Sequence, residues 1–318
     1  MTKTVKLGGE GFEVPAVGLG CMGMSEFYGS SDRSENLKVL DRALEIGCTF
    51  WDTSDMYGPF TNEELLGEAL IGRRDRVTLA TKFGISRGEN GEWFGIKGSA
   101  DYIRESCDAS LKRLGTDYID LYYQHRIDPD TPIEETVGAM AELVKAGKVR
   151  YIGLCEVDAE TIERAHLTHS VRAVQTEYSL WSRDVEEEVL PTLKRLGIGL
   201  VAYSPLGRGF LTGKIRRRSD LQKGDWRLEN PRFTDEAMAA NAAVVDKIDE
   251  LAKAKNVMPA QLALAWLLSQ GENIAAIPGT RRIERLEQNI SAAGISLTEG
   301  EVSHLSSLVD RGVVGSRY

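Results

Sequence analysis

The chain is poor in the residues that would make several kinds of protein possible. It has four cysteines, Cys21, Cys48, Cys107 and Cys155, scattered through 318 residues with no CxxC pair. That excludes a disulfide framework and reads as reduced thiols. Four histidines leave little material for a metal centre. His166 and His169 are three apart and share a helix face, but no third ligand stands near them. Basic residues do not dominate: 39 Lys and Arg stand against 48 Asp and Glu, a net charge of -9. A general nucleic-acid binder needs the opposite balance. Apolar runs never approach the roughly eighteen residues of a membrane span, and the N-terminus MTKTVKLGGEGFEV has no apolar stretch of a signal peptide. These absences lead us to expect a cytoplasmic protein.

What is present is a rhythm. After a Gly-rich hairpin expected at Thr4–Leu7 and Phe12–Val14, eight short apolar segments recur: AVGLG, CTFWD, RVTLATK, YIDLYYQH, RYIGLC, VRAVQTE, GLVAYS and NIAAIP. Several are continuous rather than alternating, as strands covered on both sides should be. Amphipathic helical stretches separate them, the first over Asn36–Glu45 and others at Glu63–Leu70, Ala100–Leu114, Ile133–Ala146 and Val185–Leu196. Ser34 and Thr61 stand where the first two helices should be capped, and Gly47, Gly115, Gly147 and Gly197 where helices should stop. Eight strand–helix units predict an α/β fold, the (β/α)8 TIM barrel, as a single domain over residues 1–318. The irregular stretch 207–235 is too long for a routine connection and predicts a functional covering loop.

In such a barrel the C-terminal strand ends face the active site. Asp52, Lys82 and His125 each follow an apolar run directly, and Tyr57 lies just beyond Asp52. A Lys ammonium favours a phenolate, an Asp keeps that ammonium charged, and a His donates to an oxygen gaining charge. The set suits protonation of a carbonyl while a nicotinamide or flavin supplies hydride. Spacing alone leaves open a Lys–Asp pair that merely closes the rim. A second cluster, Arg281, Arg282 and Arg285, opens a predicted helix. Cations are unfavourable there unless an anion is bound, and arginine pairs well with phosphate.

The order of the segments DTSDMYG, NEELLGEAL, TKFG, DLYYQH, YSPLGRG and IPGTRR…EQN resembles the aldo-keto reductases over nearly the whole chain. The branch with GMSEFYG near the N-terminus is similar to plant auxin-induced-like and bacterial pyridoxal-type reductases. The resemblance implies an NADP(H)-dependent reductase of aldehydes or ketones, with Tyr57 as general acid and base. It implies that Lys82 tunes Tyr57, Asp52 holds Lys82, and His125 orients the carbonyl. It also implies that Tyr178 stacks on the nicotinamide, that Gln175 and Cys155 meet its carboxamide, and that Ser204, Leu206 and Gly209 cradle the pyrophosphate. Gly279, Thr280, Arg281, Arg285, Gln288 and Asn289 would hold the adenosine 2'-phosphate and adenine. A coenzyme-binding sensor subunit and a mainly oxidative alcohol, sugar or pyridoxine dehydrogenase are the rival functions. The partner expected is a small carbonyl or alcohol, with a monomer slightly favoured over an oligomer.

Three positions depart from the family pattern. Cys155-Glu156 stands where many members have Ser-Asn, Met22 where many have Trp, and Gly279 where some have Lys. Two further motifs carry no weight. Gly18–Gly23 fits GxGxxG but is followed by a loop rather than a helix. GRGFLTGKI has the wrong spacing and residues for a Walker loop. Trp51 and Trp266 are expected in the core, and Trp93, Trp181, Trp226, Phe27, Tyr28 and Phe94 at the pocket wall.

Overall fold

Among residues 3–9, 11–309 and 312–317, which the computed structural model describes, strands and helices alternate. A hairpin of β1 (Thr4–Lys6) and β2 (Glu13–Pro15) comes first. Then follow β3 (Leu19–Gly20), α1 (Arg33–Glu45), β4 (Phe50–Asp52), α2 (Thr61–Leu70) and β5 (Thr78–Phe83). A second hairpin, β6 (Ile85–Arg87) and β7 (Trp93–Ile96), precedes α3 (Ala100–Leu114). The rhythm continues with β8 (Ile119–Gln124), α4 (Ile133–Lys145), β9 (Val149–Cys155), α5 (Ala159–Thr168), β10 (Val171–Glu177), α6 (Val189–Leu196) and β11 (Gly199–Tyr203). After the long covering segment come α7 (Asp235–Ala254), α8 (Pro259–Leu268), β12 (Ile274–Ala276), α9 (Ile283–Ser291) and α10 (Glu299–Ser307).

Eight parallel strands pair in the order β3-β4-β5-β8-β9-β10-β11-β12. The sheet curls until its ends meet: Gly18 N donates to Ala276 O at 2.8 Å, and Ala276 N to Ala16 O at 2.9 Å. This is the expected barrel. The apolar runs explain it, since every residue of β8 is buried and β5 is buried beyond its first residue. The β1–β2 hairpin closes the N-terminal end. A Cβ on Gly199 would lie 2.5 Å from a Leu7 methyl carbon, so only glycine lets the hairpin seat against β11.

Helix boundaries differ from expectation in instructive ways. Asp32, not Ser34, caps α1, its carboxylate accepting from Glu35 N at 3.0 Å. Ser34 lies inside the first turn and donates to the same carboxylate. At α2 the cap position is Phe60, with a left-handed φ of 68°, and Thr61 bonds back to Gly58 O instead. The expected helix over Val185–Leu196 is split, with a 3-10 turn at Asp184–Glu186 and α6 beginning only at Val189. Pro191 then falls in the first turn, where its missing N–H costs nothing. Gly115 and Gly197 end α3 and α6 in the left-handed conformation, as read. The β6–β7 hairpin has no clear sequence signal, because its strands are short and partly exposed.

Candidate active site

Strand ends bring the expected tetrad together. Asp52 ends β4, Lys82 is the penultimate residue of β5, and His125 follows β8. Tyr57 reaches back from the loop after β4. Lys82 is fully buried, Asp52 nearly so, and Tyr57 and His125 are 7% exposed. The Lys82 ammonium donates to Asp52 Oδ1, to Thr53 O at 2.8 Å and to the Tyr57 hydroxyl oxygen at 3.3 Å. Its three N–H donors are therefore all used. Because the Tyr57 oxygen accepts from Lys82, its own proton is left to point elsewhere.

Electrostatics follow from burial and neighbours. Burial pushes the Tyr57 hydroxyl up to about 12, against the opposing pull of Lys82. Burial alone would discharge Lys82, but Asp52 and then Tyr57 more than offset it, and the ammonium is held charged. His125 is driven well below its ordinary range by burial, helped by Lys82 and Arg126, and is a neutral imidazole. Its ring stands edge-on to Tyr57, with centroids 5.9 Å apart at 85°. A phenol with a free proton, beside a fixed cation and a neutral imidazole, is equipped to protonate an oxygen that gains negative charge.

Of the residues expected to meet a coenzyme, several lie at this mouth. Gln175, on β10, donates its amide to Asp52 Oδ2 at 2.7 Å, so it buttresses the ion pair. Cys155 ends β9, and burial pushes its thiol up to about 12 while Lys82 pulls the other way. Ser204 follows β11 with φ 47°, and its carbonyl accepts from Gly207 N at 2.9 Å. Leu206 O accepts from Gly209 N at 3.0 Å, so the Gly209 N–H is spent inside its own turn. Tyr178 is not brought to the tetrad. It is fully buried, its hydroxyl donates to Glu186 Oε1 at 2.8 Å, and its ring meets Trp266 edge-on at 5.7 Å. An aromatic ring that does stand at a strand end is Tyr203, the last residue of β11, paired in register with Glu177. The sequence offers a signal for it, since it ends an apolar run as Asp52 does.

At the seam of the barrel, Gly279 pairs with Gly20, and a Cβ there would sit 3.1 Å from Gly20 O. Thr280 Oγ1 accepts from Arg282 N at 3.1 Å, just before α9. The Arg281 guanidinium donates to the carbonyls of Tyr28, Gly29 and Ser30. Arg285 bonds Gln288 Oε1 at 2.7 Å, and Asn289 is buried. No side chain caps α9, so the N–H groups of its first turn are left without a side-chain acceptor.

Over the mouth runs the segment 207–233, folded as successive 3-10 turns. Gly207 must be glycine: its φ is 54°, and a Cβ would lie 2.4 Å from the Trp181 ring. Trp181 is therefore buried beneath this segment, on Phe210 at 4.2 Å, rather than standing at the pocket wall. Trp93 and Phe94 point outward on β7, 61% and 58% exposed. Trp226 N bonds Phe27 O at 2.9 Å and Tyr28 bridges Asp225, joining the covering segment to the loop after β3. Phe27 and Met22 pack with Met56, Tyr57 and Ile85 into an apolar wall beside the tetrad.

A charged network that sequence reading does not single out also lies at the mouth. The fully buried Glu177 carboxylate accepts from Arg208 at 3.0 Å, Arg232 at 2.9 Å, Arg317 at 3.1 Å and Ser182 at 2.7 Å. Arg317 also bonds Glu156 and the Tyr203 hydroxyl, the latter at 3.0 Å. Glu156, Ser204 and Arg208 have left-handed φ values of 52°, 47° and 54°. Such strain in non-glycine residues gathers at functional sites.

Solved structures of similar overall form share this architecture. One is a thermostable aldo-keto reductase solved with the inhibitor epalrestat: 32% identical, TM-score 0.78, covering 96% of this chain and all of that one. Another is the glycerol dehydrogenase of Gluconobacter oxydans, 26% identical with TM-score 0.88, covering 99% of this chain and 97% of that one. A third, from Klebsiella pneumoniae, is an aldo-keto reductase in complex with NADPH, 29% identical with TM-score 0.77 over the full length of both. The sequence matches the aldo/keto reductase family over residues 16–310, and with the barrel in place the chain belongs to that family.

Proposed function

We propose that this protein is an NADP(H)-dependent oxidoreductase that reduces an aldehyde or ketone to the alcohol, reversibly, with Tyr57 as proton donor and acceptor. The observation that carries this reading is the buried Lys82 ammonium, held between Asp52 and the Tyr57 hydroxyl within reach of His125. The coenzyme supplies the hydride when bound. Tyr57 hands its proton to the carbonyl oxygen, and Lys82 stabilises the phenolate left behind. Asp52, steadied by Gln175, fixes Lys82 in place. His125 holds the carbonyl in line with the Tyr57 hydroxyl. The wall of Met22, Phe27, Met56 and Ile85 excludes water on one side and favours an apolar body on the substrate.

The residues fit a phosphorylated coenzyme. Arg281 donates to carbonyl oxygens, and the only carboxylate acting on it, Asp225, is already engaged by Arg227, so its charge is incompletely answered beside the uncapped start of α9. A 2'-phosphate answers that charge, and the Klebsiella relative was solved with NADPH. A preference for alcohol oxidation is the second reading, favoured by the likeness to a glycerol dehydrogenase. Fluorescence titration with NADPH and NADH, followed by absorbance at 340 nm against a carbonyl and alcohol panel, tests both. Tyr57→Phe should lose carbonyl reduction by about a hundredfold or more while keeping NADPH binding. Reduction surviving within about tenfold would remove Tyr57 from the role.

A further inference from the structure

His125 does not stand alone behind the tetrad. Its Nδ1 lies 3.2 Å from Ser54 Oγ, and Ser54 is fully buried. The same hydroxyl lies 3.2 Å from Asp55 Oδ1 and 3.4 Å from Lys82 O. One hydroxyl proton thus faces three acceptors. Lys82 O is the weakest claim, being the longest contact and already accepting from Asp55 N at 3.2 Å. The contest is between His125 and Asp55, and its result decides what His125 offers a substrate.

A neutral imidazole carries one N–H. If Ser54 donates to Nδ1, the proton of His125 sits on Nε2, and Nε2 is a donor. If Ser54 donates to Asp55, Nδ1 must carry the proton and donate to Ser54 Oγ. Nε2 is then a bare lone pair, which repels a carbonyl oxygen. The imidazole is not rescued by taking a second proton, because Lys82 and Arg126 face it and burial disfavours the charge. The hydrogen on the nitrogen toward the mouth is thus set by a group on the far side of the ring.

We propose that Ser54 is a positioning residue that holds His125 as its Nε2–H tautomer by donating to Nδ1. Asp55 is 4% exposed and is faced by Glu63 from α2, by Arg113 and Tyr102 from α3, and by Tyr122 from β8. Burial, then the Glu63 charge, raises its carboxyl well above the ordinary range, against the weaker pull of Arg113. Asp55 therefore stays neutral to a higher pH than an ordinary carboxyl. When it ionises it becomes the stronger acceptor, and the Ser54 proton turns toward it. The inference rests on the reading of His125 given above, and it deepens that reading by naming what fixes the ring.

The test is nuclear magnetic resonance of the full 15N-labelled chain. The chain has four histidines, so long-range 1H–15N spectra resolve each ring, and His125→Gln identifies the signals of interest. The wild type should show the Nε2–H tautomer, and the Nδ1–H form should grow as rising pH ionises Asp55. Ser54→Ala should move His125 toward Nδ1–H, Ser54→Thr should restore it, and Asp55→Asn should abolish the pH dependence. In turnover, Ser54→Ala should lower kcat for carbonyl reduction about tenfold or more with NADPH affinity unchanged, since only the Nε2–H fraction donates. An Nδ1–H tautomer in the wild type, or an unaltered Nε2–H ring in a folded Ser54→Ala, overturns the proposal. A tautomer that moves while turnover stays put upholds Ser54 and refutes His125 as the donor.

Discussion

Replacing Glu177 by Gln should be among the most damaging single changes outside the tetrad. Its side chain is fully buried, and its two oxygens take hydrogen bonds from three arginines and Ser182. Arg208 and Arg232 are themselves 4% and 8% exposed, while Arg317 is 20% exposed and better served by water. Gln keeps the shape but loses the charge, and turns one acceptor into a donor that faces a guanidinium. Breaking a buried ion pair by removing one partner costs about 3–5 kcal/mol. The desolvated Arg232, whose other side-chain bonds go to Ser182 Oγ and the Gly315 carbonyl, accounts for much of that. At about 2–4 °C per kcal/mol, or somewhat less for a chain of this length, the melting temperature should fall by roughly 5–15 °C. Calorimetry at fixed scan rate reads it. A Glu177→Gln protein melting within about 2 °C of wild type would refute the reasoning, by showing that water or a local shift satisfies the arginines. The double change Glu177→Met with Arg232→Met supplies a second check. Removing Arg232 together with the carboxylate should recover part of the loss, because it takes one desolvated guanidinium out of the site.

Other outcomes follow from the same structure. Arg281→Ala with Arg285→Ala should weaken NADPH at least about tenfold more than NADH, and equal losses by titration would show that these arginines do not read the 2'-phosphate. The four cysteines are buried, with the thiols of Cys48, Cys107 and Cys155 pushed up to about 12 by burial, so native protein should react with a thiol reagent far more slowly than unfolded protein, which should yield all four. Rapid labelling in the folded state would mean that the mouth opens to solvent. Glu156 is disfavoured by burial but held below its ordinary range by Arg317, Glu177 N and Thr176. Its stabilisation is present above the unfolded value of about 4.3 and is lost as pH falls through the folded one. The melting-temperature gap between wild type and Glu156→Gln should therefore be widest near neutrality and close in acid. A gap that persists at low pH would assign the loss to shape rather than charge.

The barrel was legible because its signals are local. Continuous apolar runs, amphipathic stretches and glycine stops each lie within about fifteen residues, and each unit repeats the last. The tetrad was legible for a related reason: a polar residue ending an apolar run in a barrel must face the mouth. The same rule, applied to β11, points to Tyr203, while Tyr178 lies one residue beyond β10 and turns away toward Trp266. Alternation along β10 explains the difference, since Gln175 and Glu177 share the inward face and the next residue takes the other. Caps were read less well. Ser34 and Thr61 are good capping types, but Asp32 and the left-handed Phe60 hold the actual positions, and neither choice shows in propensity alone.

The mouth network resisted reading because it is assembled from distant parts. Glu156 and Arg317 are 161 positions apart, and Glu177 and Arg317 are 140 apart. Nothing local marks them as partners. Yet they make sense of a departure that the sequence left unexplained. A glutamate after β9, where many members have an amide, is a poor donor for a carboxamide. Here its carboxylate is already engaged by Thr176, the Glu177 N–H and Arg317. Arg317 in turn touches Tyr203, and the Arg317 carbonyl accepts from Arg208 and Asn230 of the covering segment. Glu156 therefore serves as an anchor for Arg317. Through Arg317 it ties the ends of β9, β10 and β11 and the covering segment into one charged assembly.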